Sequence, residues 1–277
     1  ATYMAEQLGG DVSNCQRAAS LAKCDLLTDM VGEFADLQGL MGYYYALKDG
    51  ESSDVATAIV EQYLPRYAGD ALPESLTGNI VSLAEKIDTI AGLFAIKQPP
   101  TGSKDPFAIR RAALGVLRIL VENRLELDIL KVLTFALDGF NNLDIESDTD
   151  EVIFEFMLER LRAWYQDKDI PIEVFQSVRA LKPRSPLDFD KRISAVHNFC
   201  GLEAADALAS ANKRVSNLVA KAGFEEPDIQ VDPSIFESDT EKALYNLIQE
   251  KELELTPLIL NHDYSNCLVA LSTLREP

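Results

Sequence analysis

Apolar residues three and four positions apart run through most of this chain, and that spacing commits it to helices. Between residues 79 and 96, Ile80, Leu83, Ala84, Ile87, Ile90, Ala91 and Phe94 fall on one side of a 3.6-residue repeat. Such a stripe is stable only when it is packed against another apolar surface. Strand-like alternation is rare and short. The same period predicts helices over about 13–23, 24–46, 54–67, 126–140, 148–167, 171–181, 187–199, 202–222, 239–252 and 255–276. Asp54 is the expected cap of its helix, and Pro171 sits at a helix start. The expected fold class is all-α. Lys182-Pro183-Arg184-Ser185-Pro186, with prolines at two of its positions, reads as a linker between helical bundles at 1–184 and 185–277.

Lys104 to Arg118 adds chemistry to this pattern. Asp105 is placed to cap a helix and Pro106 to occupy its first position. Ile109, Ala113, Val116, Leu117 and Leu120 form its apolar stripe, with Arg111 and Arg118 roughly opposite and Arg110 beside them. Two uses of these arginines stay open. They grip phosphates, whose oxygens match a guanidinium fork, or they pair with carboxylates inside the domain.

The formal net charge is −19, so there is no global basic field to draw in nucleic acid, and any such contact must be local. Lys97 and Lys104 flank a Pro/Gly loop and are either backbone-phosphate contacts or solvated turn residues. Ser210, Arg214, Asn217 and Lys221 recur at helical spacing, bordered by Lys213. Leu208, Ala211, Val215, Leu218 and Ala222 are the expected buried face of that helix, and no aromatic stands on it before Phe224. This polar stripe, which mixes positive charge with amide and hydroxyl donors, is the best candidate surface for RNA, or an ordinary solvent face. Asp25, Asp29, Glu33 and Asp36 fall at steps of four, four and three, a relic metal cleft or a docking face for a basic partner, or else a face that is solvated or paired to internal arginines. Tyr43, Tyr44, Tyr45, Trp164 and Tyr165 read as packing residues.

Other chemistries find little support. The cysteines at 15, 24, 200 and 267 fit neither a CxxC pair nor a zinc site, and reduced thiols in a cytoplasmic protein are expected. His197 and His262 are the only histidines, and His197 reads as a partly buried core residue. No phosphate-cradling GxxxxGK[ST] loop occurs. No apolar run approaches the roughly 20 residues of a membrane span. The start at Ala1 and the end at Leu274-Arg275-Glu276-Pro277 read as the cut edges of an interior piece of a longer chain.

Several segments, taken in order, resemble the beta subunit of the bacterial heterotetrameric glycyl-tRNA synthetase. They are Lys23 to Val31 (KCDLLTDMV), Phe34 to Gly42 (FADLQGLMG), Glu61 to Gly69 (EQYLPRYAG), Glu85 to Gly92 (EKIDTIAG), Lys104 to Arg118, Arg162 to Gln166 (RAWYQ) and Ala211 to Asn217 (ANKRVSN). The resemblance implies the C-terminal part of that subunit. An HD-like helical domain over 1–184 would be followed by the start of an anticodon-binding helical domain over 185–277, incomplete after Pro277. It implies tRNA(Gly) as partner, and an alpha subunit in a heterotetramer of two alpha and two beta chains. The alpha subunit would activate glycine with ATP and Mg, so this chain would contain no catalytic residue and no cofactor of its own. HD phosphohydrolases hold metal with histidines and aspartates. The corresponding positions here are Cys24-Asp25 and Glu85, so the metal site is expected to be degenerate. A surviving HD-type hydrolase and a purely structural helical adaptor are the alternatives.

Overall fold

The computed structural model describes residues 1–102, 104–202, 204–222 and 231–275. Among them are fourteen α-helices and no strand. In chain order these are α1 (Thr2–Leu8), α2 (Val12–Leu21), α3 (Asp29–Glu33), α4 (Leu40–Lys48), α5 (Ser53–Glu61), α6 (Leu76–Ala95) and α7 (Ile109–Glu122). There follow α8 (Ile129–Asp138), α9 (Thr149–Gln166), α10 (Ile172–Arg179), α11 (Pro186–Cys200), α12 (Ala204–Ala222), α13 (Asp239–Leu260) and α14 (Tyr264–Ser272). The chain forms two compact units. One holds residues 1–169 with 183–187, the other 170–182 with 188–277. Helix α10, on the N-terminal side of the expected 184/185 boundary, thus belongs with the second unit.

Helix α6 is the axis of the first unit. It packs against α2, α5, α7, α8 and α9, and Ile80, Leu83, Ile87, Ile90 and Ala91 are buried along it. Its start is fixed by polar groups. The Ser75 hydroxyl accepts from the Gly78 amide at 2.9 Å, and the Glu61 carboxylate accepts from the Glu74 amide at 2.9 Å and from the Ser75 amide and hydroxyl. A carboxylate at a helix N-terminus meets the positive end of the helix dipole as well as its unpaired amides. Ser75→Ala removes the cap and one partner of Glu61 together. We expect a loss of about 1–2 kcal/mol, read as a lower urea midpoint at unchanged m-value.

The expected helix over 24–46 is broken into the 3-10 turn Cys24–Leu27, α3, the 3-10 turn Ala35–Leu37 and α4. Thr28 stops the first piece and caps α3, its hydroxyl accepting from the Val31 amide. Gly39 lies in the left-handed region at φ 82°. The acidic residues Asp25, Asp29, Glu33 and Asp36 therefore do not share one helix face. Ser52, not Asp54, caps α5, and α5 ends at Glu61 instead of near Tyr67. In place of separate helices at 239–252 and 255–276, α13 runs unbroken through Pro257 to Leu260. His262, at φ 55°, then turns the chain, and Asp263 caps α14.

In the second unit, Phe175 on α10 and Phe189 on α11 meet at 5.3 Å between ring centroids, with Val174, Val178 and Ile193 buried nearby in sequence. The Asp188 carboxylate accepts from Arg192 Nε and His262 Nδ1, each at 2.8 Å, and from the Tyr264 hydroxyl. These bonds hold its pKa below the usual carboxylate value against the upward push of burial. They join α11 to the α13–α14 turn. Helix α12 departs from expectation. It touches α14, yet every residue from Ala209 to Lys221 is exposed, with Val215 and Leu218 58% and 67% accessible. Its apolar stripe is real in spacing but is not buried. Phe224 lies outside the described residues.

Candidate nucleic-acid interface

Helix α7 buries Ile109, Ala113, Val116, Leu117 and Leu120, as its spacing requires. Its start differs from the expected one. Ala108 is left-handed at φ 55°, so the helix begins at Ile109 and Pro106 stands before it. Asp105 still serves the helix end, its carboxylate accepting from the amides of Ile109 and Arg110 at 3.0 and 3.1 Å. That turn fixes the rotation at which the arginines leave the helix.

Arg110, Arg111 and Arg118 line one groove, of about 500 Å³, whose opposite wall is α9. From α9 come Arg160, Ala163 and Trp164, then Asp167 just beyond the helix; Ala68 and Gly69 also contribute. Four guanidiniums there face two carboxylates, Glu122 and Asp167. In a chain of net charge −19 this is a local reversal of sign.

The arginines are not equivalent. Arg118 is largely internal. Its side chain is 11% exposed, with Nε on Glu122 Oε1 at 2.7 Å and Nη1 on the Asp70 carbonyl at 3.1 Å. It ties α7 to the loop that carries Ala68 and Gly69. Arg110 donates to the Gly102 carbonyl at 2.7 Å, which leaves its charge uncompensated. Arg111 is exposed and makes no hydrogen bond or ion pair with any described residue. Arg160 lies at 5.7 Å from the Phe156 ring centroid, and its buried Nε has no hydrogen-bond partner among the described residues. Lys168 sets its ammonium 3.7 Å from the centre of the Trp164 ring.

Sequence reasoning missed Arg160 and Trp164 as site residues. Their i, i+4 spacing was visible in RAWYQ and its preceding arginine. What the spacing could not show was that this face of α9 looks onto α7. Tyr165 is buried as expected, whereas Trp164 is only half-buried in the groove wall.

The other expected residues do not join the groove. Lys97 is exposed and paired with Glu146 at 3.1 Å, and the carboxylate raises its pKa. Lys104 is exposed in the loop whose Gly102 carbonyl holds Arg110. Lys213, Arg214, Asn217 and Lys221 are exposed on α12 in the second unit.

The HD-like positions are engaged internally. Asp25 is buried at 2% exposure, accepting from the Gly39 amide at 2.6 Å and the Tyr63 hydroxyl at 3.0 Å. Burial and the adjacent Asp25 carboxylate push the Tyr63 phenol up to about 12. Glu85 pairs with Lys23 at 2.7 Å, and Cys24 is exposed. Asp25 and Glu85 line separate cavities. Among the described residues no three His, Cys, Asp or Glu side chains converge as metal ligands would.

An all-α body with a cationic groove, part aromatic, is the kind of surface that meets a polyanion. The family described as glycyl-tRNA synthetase beta subunit matches residues 1–180, and the chain belongs to that family. It is 50% identical over 277 residues to the glycine–tRNA ligase beta subunit of Pseudomonas aeruginosa, and 51% identical over 278 residues to that of Pseudomonas fluorescens. The corresponding protein of Photobacterium profundum is 49% identical over 277 residues. Each match takes in all of this chain, which spans 40% of the length of these relatives. No described helix is long and apolar enough to cross a membrane.

Proposed function

We propose that this chain is a tRNA-holding portion of a cytoplasmic glycyl-tRNA synthetase beta subunit. The first unit is its HD-like domain with a degenerate metal site, and the second the start of its anticodon-binding domain. The bond chemistry, with ATP and Mg, belongs to the alpha subunit of a heterotetramer with two chains of each kind. This chain contributes position. Binding tRNA in one orientation brings its reactive end to a remote site and converts an encounter into a placed reaction. One observation carries the reading: Arg111, with no hydrogen-bond or ion-pair partner among the described residues, stands in a groove of excess positive charge on an otherwise acidic chain. The exposed Lys213, Arg214, Asn217 and Lys221 supply a second contact on the other unit. The hydrolase alternative has no such support, since Asp25 and Glu85 are engaged elsewhere and apart.

Arg118 is a poor test because its loss would also free Asp70 and Glu122. Arg111→Ala breaks no hydrogen bond or ion pair among the described residues. We expect it to weaken tRNA(Gly) binding about three- to tenfold and to lower the slope of log K against log salt by about 1, with the melting temperature unchanged. Affinity and slope equal to those of the parent chain in Arg111→Ala and Arg214→Ala alike would refute RNA contact and leave a structural adaptor.

A further inference from the structure

We propose that the groove between α7 and α9 accepts a single unstacked ribonucleotide, its phosphate on Arg111 and Arg160 and its base against the Trp164 indole. The inference rests on the tRNA-holding reading and assigns that site a more specific ligand. A convex row of arginines would be enough to follow a phosphate backbone. This surface is concave instead, and its volume of about 500 Å³ suits a small-molecule group. Its lining is mixed in the proportion a nucleotide needs. Leu114, Ala163 and Trp164 give an apolar wall beside the guanidiniums.

Arg160 lines the same groove from the α9 side, and a phosphate oxygen there would form charge-assisted bonds with its guanidinium. The Trp164 ring already attracts a cation, since the Lys168 ammonium lies over it. That ring is the platform on which unpaired bases stack, with the nearby ammonium free to turn toward the phosphate. Asp167, exposed at the same rim, opposes a bare phosphate but offers an acceptor to a base amine. This combination favours a nucleotide over inorganic phosphate or a lipid headgroup.

Trp164 is the only tryptophan of the chain, so its emission reports on this groove alone. The chain is titrated at low salt with a hexacytidylate RNA, a blunt RNA duplex and inorganic phosphate, with anisotropy of labelled RNA read in parallel. The single strand is expected to change the Trp164 emission at saturation, whereas the duplex and phosphate leave it unchanged. Trp164→Leu is expected to weaken single-strand binding about tenfold without altering the salt slope, and Trp164→Phe to retain most of it. Arg160→Gln should lower both affinity and slope. If the single strand binds by anisotropy with unchanged emission, or if Trp164→Leu binds as tightly as the parent, the nucleotide site is refuted while the phosphate-contact reading stands. If neither RNA binds at low salt, both readings fall.

Discussion

Asp25→Ala is expected to destabilise the first unit by about 2–4 kcal/mol, because it leaves one buried and one half-buried donor without their acceptor. One is the Gly39 amide, the other the Tyr63 hydroxyl. Both bonds run to a charged oxygen and are stronger than neutral ones. The packing around them is close. A Cβ at Gly42 would come within 2.7 Å of Ile59 and 3.2 Å of Asp25, so α4 cannot shift inward to fill the space. Asp25→Asn is expected to recover only part of the loss, since its amide nitrogen meets donors where an acceptor is needed. Tyr63→Phe, which removes one of the two bonds, should cost about 1–2 kcal/mol. Denaturant titration measures all three. An Asp25→Ala midpoint within error of the parent would refute the structural role. The hydrolase alternative makes a separate prediction: manganese would raise the stability of the parent but not of Asp25→Ala. We expect manganese to move neither.

The same residue shows where the sequence was legible and where it was not. Asp25 looked like the first member of an acidic stripe because positions 25, 29, 33 and 36 keep helical spacing. The spacing was right and the helix was absent. A carboxylate bonded to an amide fourteen residues away and a threonine cap three residues on outweighed local periodicity. Helices α6 and α7 were readable because their apolar stripes are long and unbroken, and burial follows the stripes closely. On α12 an equally regular stripe remains exposed. Amphipathicity identifies a face suited to packing; it does not supply the partner. The groove was half legible for the same reason. The sequence placed three arginines on one side of α7, but Arg160 and Trp164 joined them through the packing of α7 on α9, which no single helix encodes. Arg118 was visible as a cation, while its hold on Asp70 depended on a loop 48 residues away.

That loop rests on a buried cation, and here a large pH effect is expected. Lys86 is 5% exposed on α6, and burial lowers its pKa to about 8. Its ammonium donates to the carbonyls of Gln62 and Leu64 at 3.3 and 2.9 Å and to the Ser82 hydroxyl at 2.9 Å. Both carbonyls lie just past the end of α5, where carbonyls lack helical partners, so the lysine caps that end. It thereby secures the chain entering the loop with Ala68, Gly69 and Asp70, which borders the groove and receives Arg118. Its ordinary pKa of 10.5 applies to the unfolded chain, so between about pH 8 and 10.5 the unfolded state binds the extra proton. Stability from this group must therefore rise with pH across that window, and its burial cost is fully present below pH 8. From pH 7 to 10 the gain is roughly 2–3 kcal/mol. Measurement should stop near pH 10, because Tyr63, held protonated in the fold to about 12, works in the opposite direction above that point. Lys86→Met removes the titrating group and retains the apolar stem. The parent-minus-variant stability, from urea titrations at pH 7, 8, 9 and 10, should climb by that amount. A flat difference would show that the lysine keeps an ordinary affinity for its proton, and that hydrogen bonds to the Gln62 and Leu64 carbonyls compensate fully for its removal from water.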